Sequence, residues 1–209
     1  MVQSLNRRGL MAAAALATAA LAGLATGPAR AQEPIKIGFG MALTGPLGAN
    51  GKSALLAMKI WEEDINAKGG LLGRKVQLIN YDDQSNPSTV PGIYTKLLDV
   101  DKVDLVMGGY ATNVLAPALP VVMQRKKVFI GLFGLSVNQK FKYDRFFAMA
   151  PNGQNPKAGL SKMFFDTVMA FEPKPKTIAI VAADAEFSKN ASDGARENAK
   201  ALGLDIVYD

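Results

Sequence analysis

Apolar runs of strand length alternate with helical spacings along most of this chain, and that alternation restricts the fold more than any other feature. Ile35 to Ala42, rich in Ile, Phe and Met, reads as a buried strand. After the turn Thr44-Gly45-Pro46-Leu47-Gly48, the residues Leu55, Met58, Trp61 and Ile65 recur at helical spacing, and Asn66-Ala67-Lys68-Gly69-Gly70 closes that helix. Lys75 to Asp82 is a second strand. A second helix is expected to begin late, because Pro91-Gly92 interrupts its first turn, and Ile93, Leu97 and Leu98 supply its apolar face. Val103 to Gly108 reads as a third strand, Thr112 as the N-cap of a third helix carrying Pro117 and Pro120, and Val128 to Phe133 as a fourth strand. Strands separated by helices of this length imply right-handed βαβ crossovers and a parallel sheet, which is an α/β fold.

Past Leu135 the pattern loosens until a short apolar stretch, Phe146 to Ala150. Pro151-Asn152-Gly153-Gln154-Asn155-Pro156 is the densest turn cluster in the chain, and a domain boundary is expected there. A new unit then begins. Asn155 caps a helix with Pro156 at its first position, and Leu160, Met163, Phe164, Val168 and Phe171 are expected to form one face. Thr177 to Ala182 reads as a strand, Ser188 to Leu202 as a helix ended by Gly203, and Leu204 to Tyr208 as a further strand. An isolated α-β-α-β piece has too little sheet to cover its helices, so the chain is expected to be the front part of a longer protein. It is expected to fold weakly and bind little ligand without the rest.

The first 31 residues have a different character. Arg7 and Arg8 precede an Ala- and Leu-rich run from Leu10 to Leu24, followed by Gly27-Pro28 and Ala29-Arg30-Ala31. A basic start, an apolar middle and an A-x-A site make a secretory signal peptide, cleaved near Ala31. The run is too short and too diluted by Gly and Thr to span a bilayer, which takes about 20 apolar residues. The paired arginines lean toward twin-arginine export, but Leu10 and an incomplete consensus leave the Sec and Tat routes both open.

Composition excludes much chemistry. The 209 residues include no Cys and no His, so thiolate nucleophiles, disulfides, imidazole bases and zinc fingers are all absent. The net charge of +6 suggests nucleic acid at first sight. Removing residues 1–31 takes away three arginines and no carboxylate, and no basic cluster with interleaved aromatics remains. No nucleic-acid partner, cofactor or metal is expected, and without a cysteine there is no lipid anchor.

Several motifs invite a sharper reading. Gly45-Pro46-Leu47-Gly48-Ala49-Asn50-Gly51-Lys52-Ser53 ends like a phosphate loop, but Pro46 stands where that loop needs glycine, and proline has no N–H to offer a phosphate. Gly38-Phe39-Gly40 is half a dinucleotide fingerprint and reads better as a buried strand. Tyr81-Asp82-Asp83 could pair on a metal, but reads better as a solvated strand end with a helix-entry cap. Gly108-Gly109-Tyr110-Ala111-Thr112-Asn113 lies at the carboxyl end of a strand and opens a helix, where α/β sheets place their ligands and free N–H groups favour an anion. The Thr112 hydroxyl can cap the helix or meet a ligand; composition leaves both open.

The stretches Ile35-Lys36-Ile37-Gly38, Leu43-Thr44-Gly45-Pro46 and Asp64-Ile65-Asn66-Ala67-Lys68-Gly69-Gly70-Leu71-Leu72-Gly73-Arg74-Lys75-Val76 resemble the Leu/Ile/Val-binding type of periplasmic solute-binding protein. Tyr81-Asp82-Asp83 with Asn86-Pro87, and Thr177-Ile178-Ala179-Ile180-Val181, continue the likeness in order. The resemblance implies a type I two-lobed fold: parallel sheets flanked by helices, with ligand held between the lobes. It divides the chain into a signal peptide (1–31), a first lobe lacking its return segment (32–151) and the start of a second lobe (152–209), truncated.

It further implies a non-catalytic component of an ABC importer for amino acids, branched-chain or related small carboxylates. Such a protein is periplasmic, monomeric and served by permease subunits. Carried over, the carboxylate hydroxyl falls on Thr112, with Tyr110, Ala111 and Asn113 beside it. The ammonium site falls around Gly134, Leu135 and Ser136, where Leu135 replaces the family's hydroxyl unless the register shifts to Ser136. The first lobe's aromatic lid aligns with Asn50, a departure, and the second lobe's aromatic with Phe187 beside Glu186. Two other classes remain: the sensing ectodomain of a signalling receptor, which requires a membrane helix downstream, and an exported enzyme, for which no nucleophile–base pair is visible.

Overall fold

The computed structural model describes residues 32–150 and 153–209. The expected signal peptide, and Pro151-Asn152 within the expected boundary, lie outside the described residues. Strand β1 (Ile35–Met41) leads to helix α1 (Gly48–Ala67), β2 (Val76–Asp82), α2 (Val90–Thr95, continued by a π-helical turn, Lys96–Val100) and β3 (Leu105–Met107). An unbroken helical run follows, α3 (Thr112–Leu115), a 3-10 turn (Ala116–Ala118) and α4 (Leu119–Gln124), then β4 (Phe129–Gly131), α5 (Val137–Phe141) and β5 (Phe146–Ala148). These strands form a five-stranded sheet in the order β2-β1-β3-β4-β5, with every pairing parallel. The remaining elements are α6 (Pro156–Val168), β6 (Thr177–Ala179), α7 (Glu186–Ala201) and β7 (Asp205–Tyr208), with β6 and β7 paired in parallel.

The period-two alternation of β1 explains the layers. Ile35, Ile37, Phe39 and Met41 are buried with Val76 and Leu78 under α1, whose Leu55, Met58 and Ile65 pack on them. The opposite face of β1 carries Gly38 and Gly40. A methyl at Gly38 would lie 2.9 Å from both Leu97 and Val103, so α2 packs directly on the strand backbone. Val90, Tyr94, Leu97, Val114, Leu115, Leu119, Val122 and Phe129 build the core on that side. The Gly-Phe-Gly triplet is thus a packing device. So is Gly51 in the loop-like Gly-Lys-Ser stretch: it lies inside α1, where an added Cβ would sit 1.8 Å from the Ala42 carbonyl oxygen.

The end of α1 closes the sheet's outer edge. Asn66, at the end of α1, accepts from Val76 N–H (2.7 Å) and donates to Val76 O (2.8 Å), and Glu62 accepts from Leu78 N–H (2.6 Å). Side chains one helical turn apart therefore take over the ladder bonds that β2, an edge strand, would otherwise leave open. The turn between them needs Gly70 at φ +84°, where a Cβ would fall 1.9 Å from Arg74 O.

Several expectations are corrected. α2 does not begin late: Pro91 sits in its first turn, where the missing N–H costs nothing. Trp61 is 41 % exposed rather than buried with Leu55 and Met58. Asp83 is not a solvated cap but is buried, 1 % exposed. In α6 the buried side chain is Phe165, with Ala199 and Leu204, while Phe164 and Met163 face outward. That helix is apolar on both faces, and contact with α7 selects one: Gly194 brings α7 so close that an added Cβ would lie 1.9 Å from Lys157 O. Asn155 does cap α6 with Pro156 behind it, accepting from Ala158 N–H. Helix α5 falls in the stretch after Leu135 where the pattern loosens, and strand β5 in the short apolar stretch Phe146 to Ala150.

Candidate functional site

The carboxyl ends of β1, β3 and β4 lead into turns that share one edge with the start of α7, and between them lies a cleft of about 650 Å³. From the five-stranded side it is lined by Leu47, Asn50, Tyr110, Ala111, Asn113 and Phe133. From the other side come Leu160, Ala185, Phe187 and Ser188. Among the described residues no ionisable carboxylate, lysine or arginine lines it.

Two helix starts open on this cleft. Ala111 precedes α3 with φ +94° and ψ 151°, a conformation that L residues rarely adopt and that costs about 1–3 kcal/mol. Ala185 precedes α7 in an extended conformation. Among the described residues no side chain caps either start, so the first N–H groups of both helices are left for a ligand or solvent, with the positive ends of the helix dipoles behind them. The arrangement suits an anion held by neutral donors.

Thr112 is the first residue of α3 rather than its N-cap, which is Ala111. Its side chain is 2 % exposed, and its hydroxyl accepts from Leu135 N–H at 2.9 Å. Leu135 is itself buried, and its carbonyl accepts from Asn190 Nδ2 of α7 at 3.4 Å. One residue, Leu135, thus links Thr112 on the five-stranded side through its N–H to Asn190 on the other through its carbonyl. Of the residues named from the sequence, Tyr110, Ala111, Asn113, Gly134 and Phe187 line the cleft. Thr112 and Leu135 stand behind it. Ser136, left-handed at φ +60°, lines a neighbouring cavity of about 360 Å³ with Gly134 and Asn138, and its buried hydroxyl has no hydrogen-bond partner among the described residues.

An aromatic wall was not foreseen. The rings of Tyr110 and Phe133 lie 5.0 Å apart at 42°, and Asn50 Nδ2 donates to the Tyr110 hydroxyl at 2.8 Å. Asn50 stands where the resemblance places the first lobe's aromatic lid, yet its amide anchors an aromatic supplied by another loop. Leu47, Leu160 and Ser188 also reach the cleft without a sequence signal, because the turn before α1 and the helices α6 and α7 that carry them are brought together only by the fold.

A polar network adjoins the cleft where Leu47 and Ser85 line it. Asp82 accepts from Leu43 N–H (3.0 Å), Thr44 N–H (3.2 Å), Thr44 Oγ1 (2.7 Å) and Gln84 N–H (2.8 Å). Burial pushes its carboxyl upward, but the Thr44 hydroxyl and the amides of Gln84, Leu43 and Thr44 outweigh this and lower the pKa. Burial of Asp83 raises its pKa to about 6, opposed by the Ser85 N–H bond and reinforced by the Asp82 charge. The Tyr94 hydroxyl donates to Met107 O (2.6 Å), and burial holds its phenol well above the ordinary range. Ser85 joins this network to the cleft, its hydroxyl donating to Thr44 O (2.7 Å) and accepting from Leu47 N–H (3.1 Å).

Among the described residues no cluster of three or more acidic side chains is placed to hold a metal ion, and no helix is long and apolar enough to cross a membrane.

A family model described as periplasmic binding protein matches residues 34–209. An amino acid binding protein of Pseudomonas aeruginosa is 26% identical over 227 aligned positions, covering 100% of this chain and 54% of the relative. The leucine-specific-binding protein of Salmonella typhimurium is 24% identical over 193, covering 91% and 50%. This chain therefore spans about half the length of the curated relatives it matches. Among solved structures, the branched-chain amino acid transporter substrate-binding protein of Streptococcus pneumoniae, in complex with isoleucine, superposes with a TM-score of 0.71 at 22% identity, covering 84% of this chain and 49% of that one. A solute-binding protein of an ABC transporter from Rhodopseudomonas palustris, in complex with 3,4-dihydroxybenzoic acid, gives 0.66 at 20%, covering 84% and 46%. The parallel, helix-flanked architecture is that of type I periplasmic binding proteins, and the chain belongs to the periplasmic binding protein family.

Proposed function

We propose that this chain is the front part of an exported, non-catalytic solute-binding protein that delivers amino acids, branched-chain or related small carboxylates, to the permease subunits of an ABC importer. The observation that carries the reading is the single cleft on which two uncapped helix starts open, walled by neutral and apolar side chains. A carboxylate there would be held by oriented N–H donors and shielded from water, where such bonds are strongest. Residues 1–31 would direct export and be cleaved near Ala31, leaving a monomeric protein free in the periplasm. Residues 32–151 would belong to the first lobe and 152–209 to the second, with Asn190 meeting the first lobe at Leu135.

In this reading Thr112 is a positioning residue, because its hydroxyl orients the Leu135 peptide behind the cleft. Thr112→Ala in the full-length protein should weaken ligand binding by roughly tenfold, the loss of a buried hydrogen bond. Calorimetry with leucine, isoleucine, valine and small carboxylates measures this, beside a thermal melt that confirms folding. An unaltered affinity would remove Thr112 from the site.

A further inference from the structure

We propose that Asn190 is a positioning residue of the cleft: its amide, donated to the Leu135 carbonyl, ties α7 to the residue that Thr112 already holds, and so fixes how far apart the two sides of the cleft stand. This rests on the reading of the cleft above and assigns a role to a side chain that stands behind the lining.

Asparagine suits the interior of a helix poorly unless its amide is used. It ranks low in helix propensity, and a buried amide without partners is destabilising. Asn190 nevertheless sits inside α7 at 9 % exposed. Its Nδ2 lies 3.4 Å from Leu135 O and 3.5 Å from Glu186 Oε1, one turn back. The amide has two N–H groups, so it can serve both acceptors. The Glu186 contact holds the first turn of α7, which carries the cleft-lining Phe187 and Ser188. The Leu135 bond fastens that turn to the opposite side of the cleft. An aspartate of the same shape would turn both donors into acceptors, and a leucine would set a methyl against the carbonyl. The position therefore calls for an amide by its chemistry rather than by its size.

The other end of the tie is equally firm. Thr112 begins α3, and its hydroxyl accepts from Leu135 N–H at 2.9 Å. Leu135 is 1 % exposed, and Gly134 before it packs so closely that an added Cβ would meet Leu115 of α3 and Val137. Leu135 is thus an anchor, and a displacement of α7 passes to α3 through bonded atoms. A ligand that touches Ala111 or Asn113 on one side and Phe187 or Ser188 on the other depends on that spacing. A change of about 1 Å takes a donor out of hydrogen-bond range.

The test uses Asn190→Asp and Asn190→Leu in the full-length protein, with L-leucine, L-isoleucine and L-valine as probes and a thermal melt of each variant. Asn190→Asp should weaken calorimetric affinity at least tenfold and Asn190→Leu at least fivefold, mainly through faster dissociation in stopped flow. Asn190→Leu carries the test where the new charge of the other variant prevents folding. Thr112→Val combined with Asn190→Leu should lose little more than the worse single variant, because either cut frees the same residue. Amide exchange at Leu135 without ligand should quicken at least tenfold in Asn190→Leu. Affinity within twofold of the parent in both Asn190 variants, or unchanged exchange at Leu135, overturns the assignment. Single losses that multiply in full in the double variant show two independent contributions and overturn the tie as well. A parent that binds none of the three probes defeats the amino-acid reading above, and exchange at Leu135 then decides the tie alone.

Discussion

The buried carboxyl of Asp83, just past the end of β2, provides a quantitative check on the fold. Its pKa is raised to about 6 from an ordinary 3.8, chiefly by burial, against Tyr94 of α2 and beside the like charge of Asp82. Between those two values the folded state holds a proton that the unfolded chain has released. Stability therefore falls as pH rises through that window, and the penalty is complete above pH 6. A shift of about two units corresponds to roughly 3 kcal/mol as an upper figure. Asp83→Asn removes the charge and retains an Oδ1 to accept the Ser85 N–H, which Asp83 now does at 2.8 Å. The variant should be more stable than the parent by about 1–3 kcal/mol at pH 7.5, and the advantage should shrink toward zero as pH approaches 4. Urea unfolding followed by circular dichroism at several pH values measures the difference. A stabilisation of equal size at pH 7.5 and pH 4.5 would refute the titration argument. Destabilisation at both would show that the carboxylate is better solvated than its burial implies.

Two further substitutions probe how the layers are held. Asn66→Ala removes both bonds to Val76 and should cost about 1–3 kcal/mol in urea unfolding, with faster amide exchange at Val76 and Leu78 as its local signature. Gly194→Ala forces a methyl against Lys157 O and should destabilise the α6–α7 pair by about 1–3 kcal/mol despite the better helix propensity of alanine. A gain in stability at Gly194 would mean that the two helices pack less closely than described.

Much of the fold is legible because strands and helices here keep to their own periods. The alternation in β1 and the spacing of Leu55, Met58 and Ile65 announce a parallel sheet with α1 across one face. The reading falters where period alone cannot decide. Leu160, Met163 and Phe164 look like a core face, but the choice between the two apolar sides of α6 is made by Gly194 on a different helix. β5 is short and adjoins irregular chain, so only its pairing with Phe129–Gly131 identifies it. The cleft is half legible for a similar reason. Tyr110, Ala111 and Asn113 sit where a strand ends and a helix starts, a position that sequence can mark. Asn50, Phe133 and Leu160 lie on separate segments whose meeting depends on the whole topology. Thr112 was marked as a helix cap or ligand hydroxyl, and its observed hydrogen bond goes to the Leu135 backbone.

The clamps by which Glu62 and Asn66 hold β2 also give the sheet a direction. With the Val76 and Leu78 amides already occupied, another strand could join at that margin only by first displacing two side chains. At the opposite margin β5 exposes Phe147 and Met149 nearby, and among the described residues no comparable side-chain clamp guards it. Accretion, whether by the protein's own fold or by unwanted association between molecules, is thereby steered to the β5 side. A charged residue in place of Phe147 would be the economical way to keep isolated preparations of this chain from self-associating.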